Sequence, residues 1–195
     1  MANRTALREL QTRLAARLQA AREETVLVSW LAVRAGPHKL LFPLAQAGEI
    51  FMVTHIASVP YARDWFEGVV SLRGGLFGVV DVAGFLAAML TPGVPFRARP
   101  LSALSSLVTF NEHLDLNCAL LVDGLVGLRR EDSFVSQQAP AEDMPDYYGN
   151  LFVDASGVPW QEIKLQTLSQ CSEFLGIGIG IGIGAGAGVG AGVGA

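Results

Sequence analysis

The chain has 195 residues, of which 51% are hydrophobic and 16% are charged, and its formal net charge is −4. This balance excludes a globally basic nucleic-acid-binding protein, and two cysteines exclude a small disulfide-stapled scaffold. The length allows one sizeable core or two small ones. The first residues lack the apolar stretch of a secretory signal, so we expect a cytoplasmic protein.

An amphipathic helix is predicted at the start of the chain, over residues 1–24. Apolar side chains recur every three or four positions from Leu7 to Ala21, and the arginines of this segment lie largely off that stripe. The pattern favours a helix that packs on its own domain. A docking helix for a partner or an acidic membrane surface is the alternative interpretation.

Short strands follow from residue 25. Apolar runs over 25–33, 39–44 and 49–56 are separated by Gly and Pro, which is typical of a small barrel or sandwich. Two further runs flank Gly74 and Gly75, which predict a two-residue hairpin turn. Alternation along the first of these runs places Val69 and Arg73 on one face, with Val70 on the other, so Arg73 should extend from the lip of the turn.

The second half repeats this arrangement weakly. A helix is predicted over 82–90 and a proline-bearing linker over 92–100. Strands are then predicted over 105–110, 114–122, 125–130, 149–154 and 158–165, with a closing helical turn over 167–175. We therefore place a first barrel at about 25–100 and a second at about 101–175, each too small to stand alone.

The last segment, 176–195, alternates glycine with Ile, Ala or Val and carries no charge. It has the length of a membrane span, and such alternation can also stack into aggregates. Half of it is glycine, however, which has little apolar area and low helix propensity. We expect a disordered low-complexity tail and no direct membrane insertion.

Reactive chemistry has little support in the sequence. The three histidines are isolated and Cys118 and Cys171 belong to no ligand motif, so no metal and no cofactor is expected. Asp81 and Asp123 each end an apolar run. A pair of aspartates can serve a small all-β hydrolase, but these two are expected to accept backbone or arginine hydrogen bonds at strand ends.

Several motifs together resemble one known family. Val-Pro at 59–60, the run Gly-Val-Val-Ser-Leu-Arg-Gly at 68–74 and Val-Val-Asp at 79–81 are similar to the first block of the CheW-type domain of bacterial chemosensory arrays. Residues 120–125 resemble its second block and 149–168 its third. The leading helix and residues 154–162 look most like the PilI-like branch, which serves type IV pilus twitching motility.

The resemblance implies a mainly β fold of two intertwined five-stranded SH3-like barrels with short connecting helices. It also implies a non-enzymatic adaptor that bridges the cytoplasmic tip of a methyl-accepting chemoreceptor and the regulatory domain of a CheA-type histidine kinase. Arg73 matches the family arginine in the region of partner contact. The expected binding residues are Arg73 as polar anchor and an apolar centre, half of which should be barrel core: Val69, Leu72, Leu76 and Phe77.

Two alternatives stay open at this point. One is the hydrolase that would use Asp81 and Asp123. The other is an adaptor that would be tethered to the membrane by the tail at 176–195.

Overall fold

The computed structural model describes residues 29–91 and 100–178. The predicted N-terminal helix, most of the linker and nearly all of the tail lie outside these residues. The described part contains eleven strands and three short α-helices: β1 Ser29–Ala35, β2 His38–Pro43, β3 Ala47–Met52, β4 Phe66–Leu72, β5 Gly75–Asp81, α1 Val82–Leu90, β6 Ser106–Phe110, β7 Cys118–Val122, β8 Gly124–Arg130, β9 Phe134–Gln138, β10 Tyr148–Asp154, β11 Pro159–Ile163, α2 Leu165–Leu168 and α3 Ser172–Leu175.

The strands form two sheets, which confirms the prediction of a mainly β fold with two strand-built units. One sheet has the order β8-β1-β2-β11-β10-β9 and the other the order β3-β6-β7-β5-β4. The chain beyond β3 returns to β4, where Ala57 and Val69 exchange two backbone hydrogen bonds of 2.8 Å. This bridge joins the two edges of the five-stranded sheet and closes it into a barrel.

The sheets do not divide the chain near residue 100, where the sequence places the border between the barrels. β1 and β2 lie before that point, yet they pair with β8 and β11 from the other half. β6 and β7 lie after it, yet they pair with β3 and β5. The border was misplaced because a proline-rich linker marks a loop, whereas strand partners are chosen by burial across the whole chain.

The two barrels have different interiors. The six-stranded sheet encloses Trp30, Phe152 and Trp160 with two smaller apolar side chains, and we call it the aromatic barrel. The five-stranded sheet encloses only aliphatic residues at full burial, and we call it the aliphatic barrel; these residues are Val70, Leu72, Val79, Leu107, Ala119 and Leu121.

The largest core lies between the barrels. It takes side chains from both sheets and from all three helices. Phe85 of α1 stands edge-on to Trp65 and to Phe174 of α3, with ring centroids 5.2 and 5.3 Å apart. Burying this shared layer is the main apolar gain that holds two small units together.

Two secondary-structure predictions were wrong. The strand expected over 114–122 begins only at Cys118, because Glu112–Leu114 form a 3-10 turn and Asp115 adopts the left-handed conformation with φ of 47°. Strand β9 was not predicted at all. Its sequence is polar after the first two residues and most of it is exposed, so it lacks the apolar run that indicates a buried strand.

Candidate functional site

The tip of the β4–β5 hairpin carries the predicted arginine, one position away from where the turn was expected. Leu72 pairs with Gly75, so the two turn residues are Arg73 and Gly74, with φ of 49° and 80°. Two consecutive positive φ values are the signature of a type I′ turn, whose twist suits a hairpin. Arg73 therefore occupies a left-handed position that an arginine seldom adopts.

A single acidic side chain meets Arg73 at the tip. The Nη1 atom of Arg73 lies 2.5 Å from Oε1 of Glu49 on β3, and the guanidinium carbon of Arg73 lies 5.9 Å from the ring centroid of Phe51. The side chain of Arg73 is 73% exposed and that of Glu49 is 43% exposed. An exposed ion pair contributes only about 0–1 kcal/mol to stability. The ion pair instead orients the Arg73 guanidinium above the end of the aliphatic barrel.

The four apolar candidates divide between two faces of the hairpin, as the alternation predicts. Leu72 is buried in the aliphatic barrel and Phe77 packs against the same core. Val69 and Leu76 belong to the opposite face; Val69 is half-buried and Leu76 is 63% exposed. Two of the four thus shape the barrel and two face outwards.

A groove of about 760 Å³ opens beside the hairpin tip. Of the predicted residues, Leu72, Arg73 and Phe77 line it, together with Glu49, Phe51 and the loop at 111–117. Val69 and Leu76 do not line the groove. Sequence reasoning missed Glu49 and Phe51, which precede Arg73 by 24 and 22 positions, because no local pattern links β3 to the hairpin tip.

Asp81 and Asp123 each accept hydrogen bonds from backbone N–H groups, at two different places in the fold. Asp81 is buried, and its Oδ1 accepts hydrogen bonds from the N–H groups of Ala83 and Gly84 at 3.0 and 3.3 Å. It is the N-cap of α1 and satisfies donors that the helix cannot. Oδ2 of Asp123 accepts from the N–H of Gly36 in the β1–β2 turn at 2.6 Å. These bonds are the strand-end role that we expected of both carboxylates.

The remaining reactive side chains show no shared site. Burial raises the pKa of Cys118 to about 12, so its thiol stays protonated at neutral pH. Within residues 29–91 and 100–178, no three His, Cys, Asp or Glu side chains come close enough to one another to hold a metal ion. No helix in these same ranges is both long and apolar enough to cross a membrane.

Comparison with known proteins identifies the family. The model of the CheW-like domain matches residues 29–169. This chain belongs to the CheW-like family. Protein PilI of Pseudomonas aeruginosa is 29% identical over 169 residues, which cover 85% of this chain and 88% of PilI, and this similarity confirms the PilI-like branch.

A solved structure supports the same fold. The scaffolding protein TtCheW from Thermoanaerobacter tengcongensis superposes with a TM-score of 0.54 at 14% identity, over 72% of this chain and 90% of TtCheW. CheW-like proteins are non-enzymatic scaffolds, so membership in the family confirms the prediction that this protein is not an enzyme. The hydrolase alternative has no support from these comparisons.

Proposed function

We propose that this protein couples methyl-accepting chemoreceptors to a CheA-type histidine kinase in a cytoplasmic array that controls pilus-driven motility. The observation that carries the proposal is the family match over residues 29–169, joined to the similarity with PilI over most of both chains. The exposed guanidinium beside an open groove supports it, because adaptor surfaces combine an apolar centre with a polar rim.

The mechanism is geometric. The protein contributes shaped surface and no bond-making step. If the kinase contacts differ between receptor states, then the receptor state shifts the population of active kinase through this protein. The rigid central core favours such transmission, because packed interiors move as units and do not deform continuously.

Five residues are proposed to contact or shape the contact with partners. Arg73 and Leu76 are the most exposed of them, so they would touch a partner directly. Val69 would contribute an outer contact. Leu72 and Phe77 would act from beneath, since Leu72 belongs to the barrel interior, Phe77 packs against that interior, and both border the groove.

Affinity capture tests the coupling role. The full chain, immobilised through an added tag, is incubated with lysate of its own organism, and the retained proteins are identified by mass spectrometry. We expect a chemoreceptor and a CheA-type kinase to be retained together and to be lost from a column that carries the heat-unfolded chain. Retention of neither protein would contradict the proposal.

Charge reversal at the hairpin tests Arg73. Arg73→Glu should leave the free energy of unfolding within about 1 kcal/mol of wild type, because the position is exposed and its ion pair is weak. It should weaken binding to receptor–kinase arrays by at least roughly tenfold, since it places a second acid beside Glu49 at a contact surface. Co-sedimentation with the arrays measures the effect.

Arg63→Glu is the matched control for that variant. Arg63 is also exposed, and it does not line the groove. We expect normal co-sedimentation of the Arg63 variant. Equal losses in both variants would assign the effect to net charge and would contradict the role of Arg73.

A further inference from the structure

The last described residues of the chain form a backbone bridge to the segment that leads into β4. The N–H of Arg63 donates a hydrogen bond of 2.9 Å to the carbonyl oxygen of Ile177, and Ala62 and Gly178 are antiparallel bridge partners. The side chain of Ile177 packs against the core between the barrels. The start of the glycine-alternating segment is therefore held on the fold by its backbone and by its first isoleucine.

The segment 57–62 has two exposed apolar side chains beside this bridge. Ala57 is bridged to β4 at one end of the segment, and Ala62 is bridged to the end of the described chain at the other. Between them, Val59 is 41% exposed and Tyr61 is 77% exposed. Within the described residues, the backbone N–H groups of Val59 and Tyr61 have no hydrogen-bond acceptor. This edge therefore offers both apolar surface and backbone groups to a further strand.

The bridge determines which residue comes next to Tyr61. In an antiparallel pair, one step forward along one strand is one step back along the other, so Ile179 falls opposite Tyr61. The segment 57–62 bends at Tyr61, where φ is 59°, and Pro60 beyond the bend has no N–H to donate. Contact past that point therefore depends on side chains.

The sequence supplies such side chains at the right spacing. Isoleucine alternates with glycine as far as Ile183, so every isoleucine of an extended tail lies on the face that Ile177 presents to the core. Two residues of extended chain span about 6.6 Å. Ile181 would thus follow Ile179 at the same two-residue interval that separates Val59 from Tyr61.

We propose that residues 179–183 dock along 57–62 of the same chain as an added edge strand, with Ile179 against Tyr61 and Ile181 against Val59. Docking removes these apolar side chains from water together. The same pairing withholds the alternating segment from stacking between molecules. For these five residues, docking replaces the disorder expected from the composition.

The chain's own tail is a better occupant of this edge than a second copy. Gly178 already lies beside Ala62, so the next residues reach Tyr61 without a loop to close. A second copy would also lose translational and rotational freedom on binding. The 17 residues after Gly178 are more than enough to cover the two exposed side chains.

Hydrogen exchange tests the docking. Amide exchange in the isotopically labelled full chain is compared by NMR with exchange in a chain that ends at Gly178, which keeps every described residue. We expect the Tyr61 amide to exchange at least roughly tenfold faster in the shortened chain, while the Val135 amide of β9 exchanges equally in both. An unchanged rate at Tyr61 would overturn the proposal.

Two positions of the tail give a matched pair of variants. Ile179→Asp places a charge against Tyr61, so it should raise the exchange rate of the Tyr61 amide to that of the shortened chain. Val189→Asp adds the same charge to the same tail beyond the docked residues, and it should exchange as wild type does. Equal effects of the two variants would contradict docking through Ile179.

The concentration dependence of exchange identifies the occupant. Protection of Tyr61 by its own tail should be the same at every protein concentration. Protection that rises with concentration would assign the edge to a second copy, and protection that develops only with receptor–kinase arrays would assign it to a partner; either result would contradict the proposal. Docking of the tail requires no partner, so its failure would leave the coupling role intact.

Discussion

The interiors of the aromatic and the aliphatic barrel are filled by side chains of different size. In the aromatic barrel, two indoles fill the interior and each donates a hydrogen bond to an acid. Nε1 of Trp30 lies 2.7 Å from Glu162 Oε1, and Nε1 of Trp160 lies 3.0 Å from Asp154 Oδ2. In the aliphatic barrel, Val, Leu and Ala side chains meet without any buried indole.

The candidate site lies on the aliphatic barrel. Large rings anchored by hydrogen bonds fill the aromatic barrel, where they stabilise the fold. The groove opens at the end of the aliphatic barrel beside the hairpin tip, where Phe51 and Phe77 border it. Under the proposed function, the aromatic barrel stabilises the fold and the aliphatic barrel carries the surface that contacts partners.

The largest effect should follow from emptying the aromatic barrel. Trp30→Ala should lower the free energy of unfolding by about 3–5 kcal/mol, because it creates a cavity and leaves Glu162 without its indole donor. Urea denaturation measures this change. Val135→Ala, at a side chain that is 69% exposed on β9, is the control and should stay within about 0.5 kcal/mol. A loss below about 1 kcal/mol for Trp30→Ala would break the comparison.

Two glycines with nearly the same φ sharpen the comparison of the two barrels. Gly68 of the aliphatic barrel and Gly127 of the aromatic barrel have φ of +134° and +133°. A Cβ atom at Gly68 would lie 2.1 Å from the carbonyl oxygen of Ala57, whereas nothing lies within 4 Å at Gly127. Gly68→Ala should therefore cost about 1–3 kcal/mol more than Gly127→Ala, since it opens the bridge that closes the barrel.

Binding to the receptor–kinase arrays should be weakened more by Gly68→Ala than by Gly127→Ala. Gly68→Ala should weaken array co-sedimentation, because the displaced bridge holds β4 and its hairpin, while Gly127→Ala should not. Equal losses of stability in the two variants would show that backbone conformation alone, and not the close approach to Ala57, determines the cost.

The smallest effect concerns pH in the aromatic barrel. The indole of Trp160, then the N–H of Val158, lower the pKa of Asp154 from 3.8. A lowered folded-state pKa gives a contribution to stability that is present above pH 3.8 and is lost as the pH falls through the folded value. Asp154→Asn should therefore reduce the fall in stability between about pH 5 and pH 2, as urea denaturation at each pH would show. An unchanged pH profile would contradict this role.

The sequence was sufficient for some features of the hairpin and insufficient for others. Alternation predicts that Val70 and Leu72 share the strand face opposite to Val69 and that Arg73 extends from the lip of the turn, because a strand has a period of two. The structure shows that the face of Val70 and Leu72 is the buried one. The turn was misplaced by one residue, since Gly74 and Gly75 both permit positive φ and only the burial of Leu72 fixes the register. Pairing of Arg73 with Glu49 depends on barrel closure, which no local pattern encodes.

Coupling itself is the most direct test of the account. Receptor-bearing membranes and purified CheA-type kinase are sedimented with and without the full chain at increasing concentration. We predict that kinase appears in the pellet in proportion to added wild-type protein and that Arg73→Glu fails to bring it down. Kinase sedimentation that is the same with and without this protein would contradict the central claim.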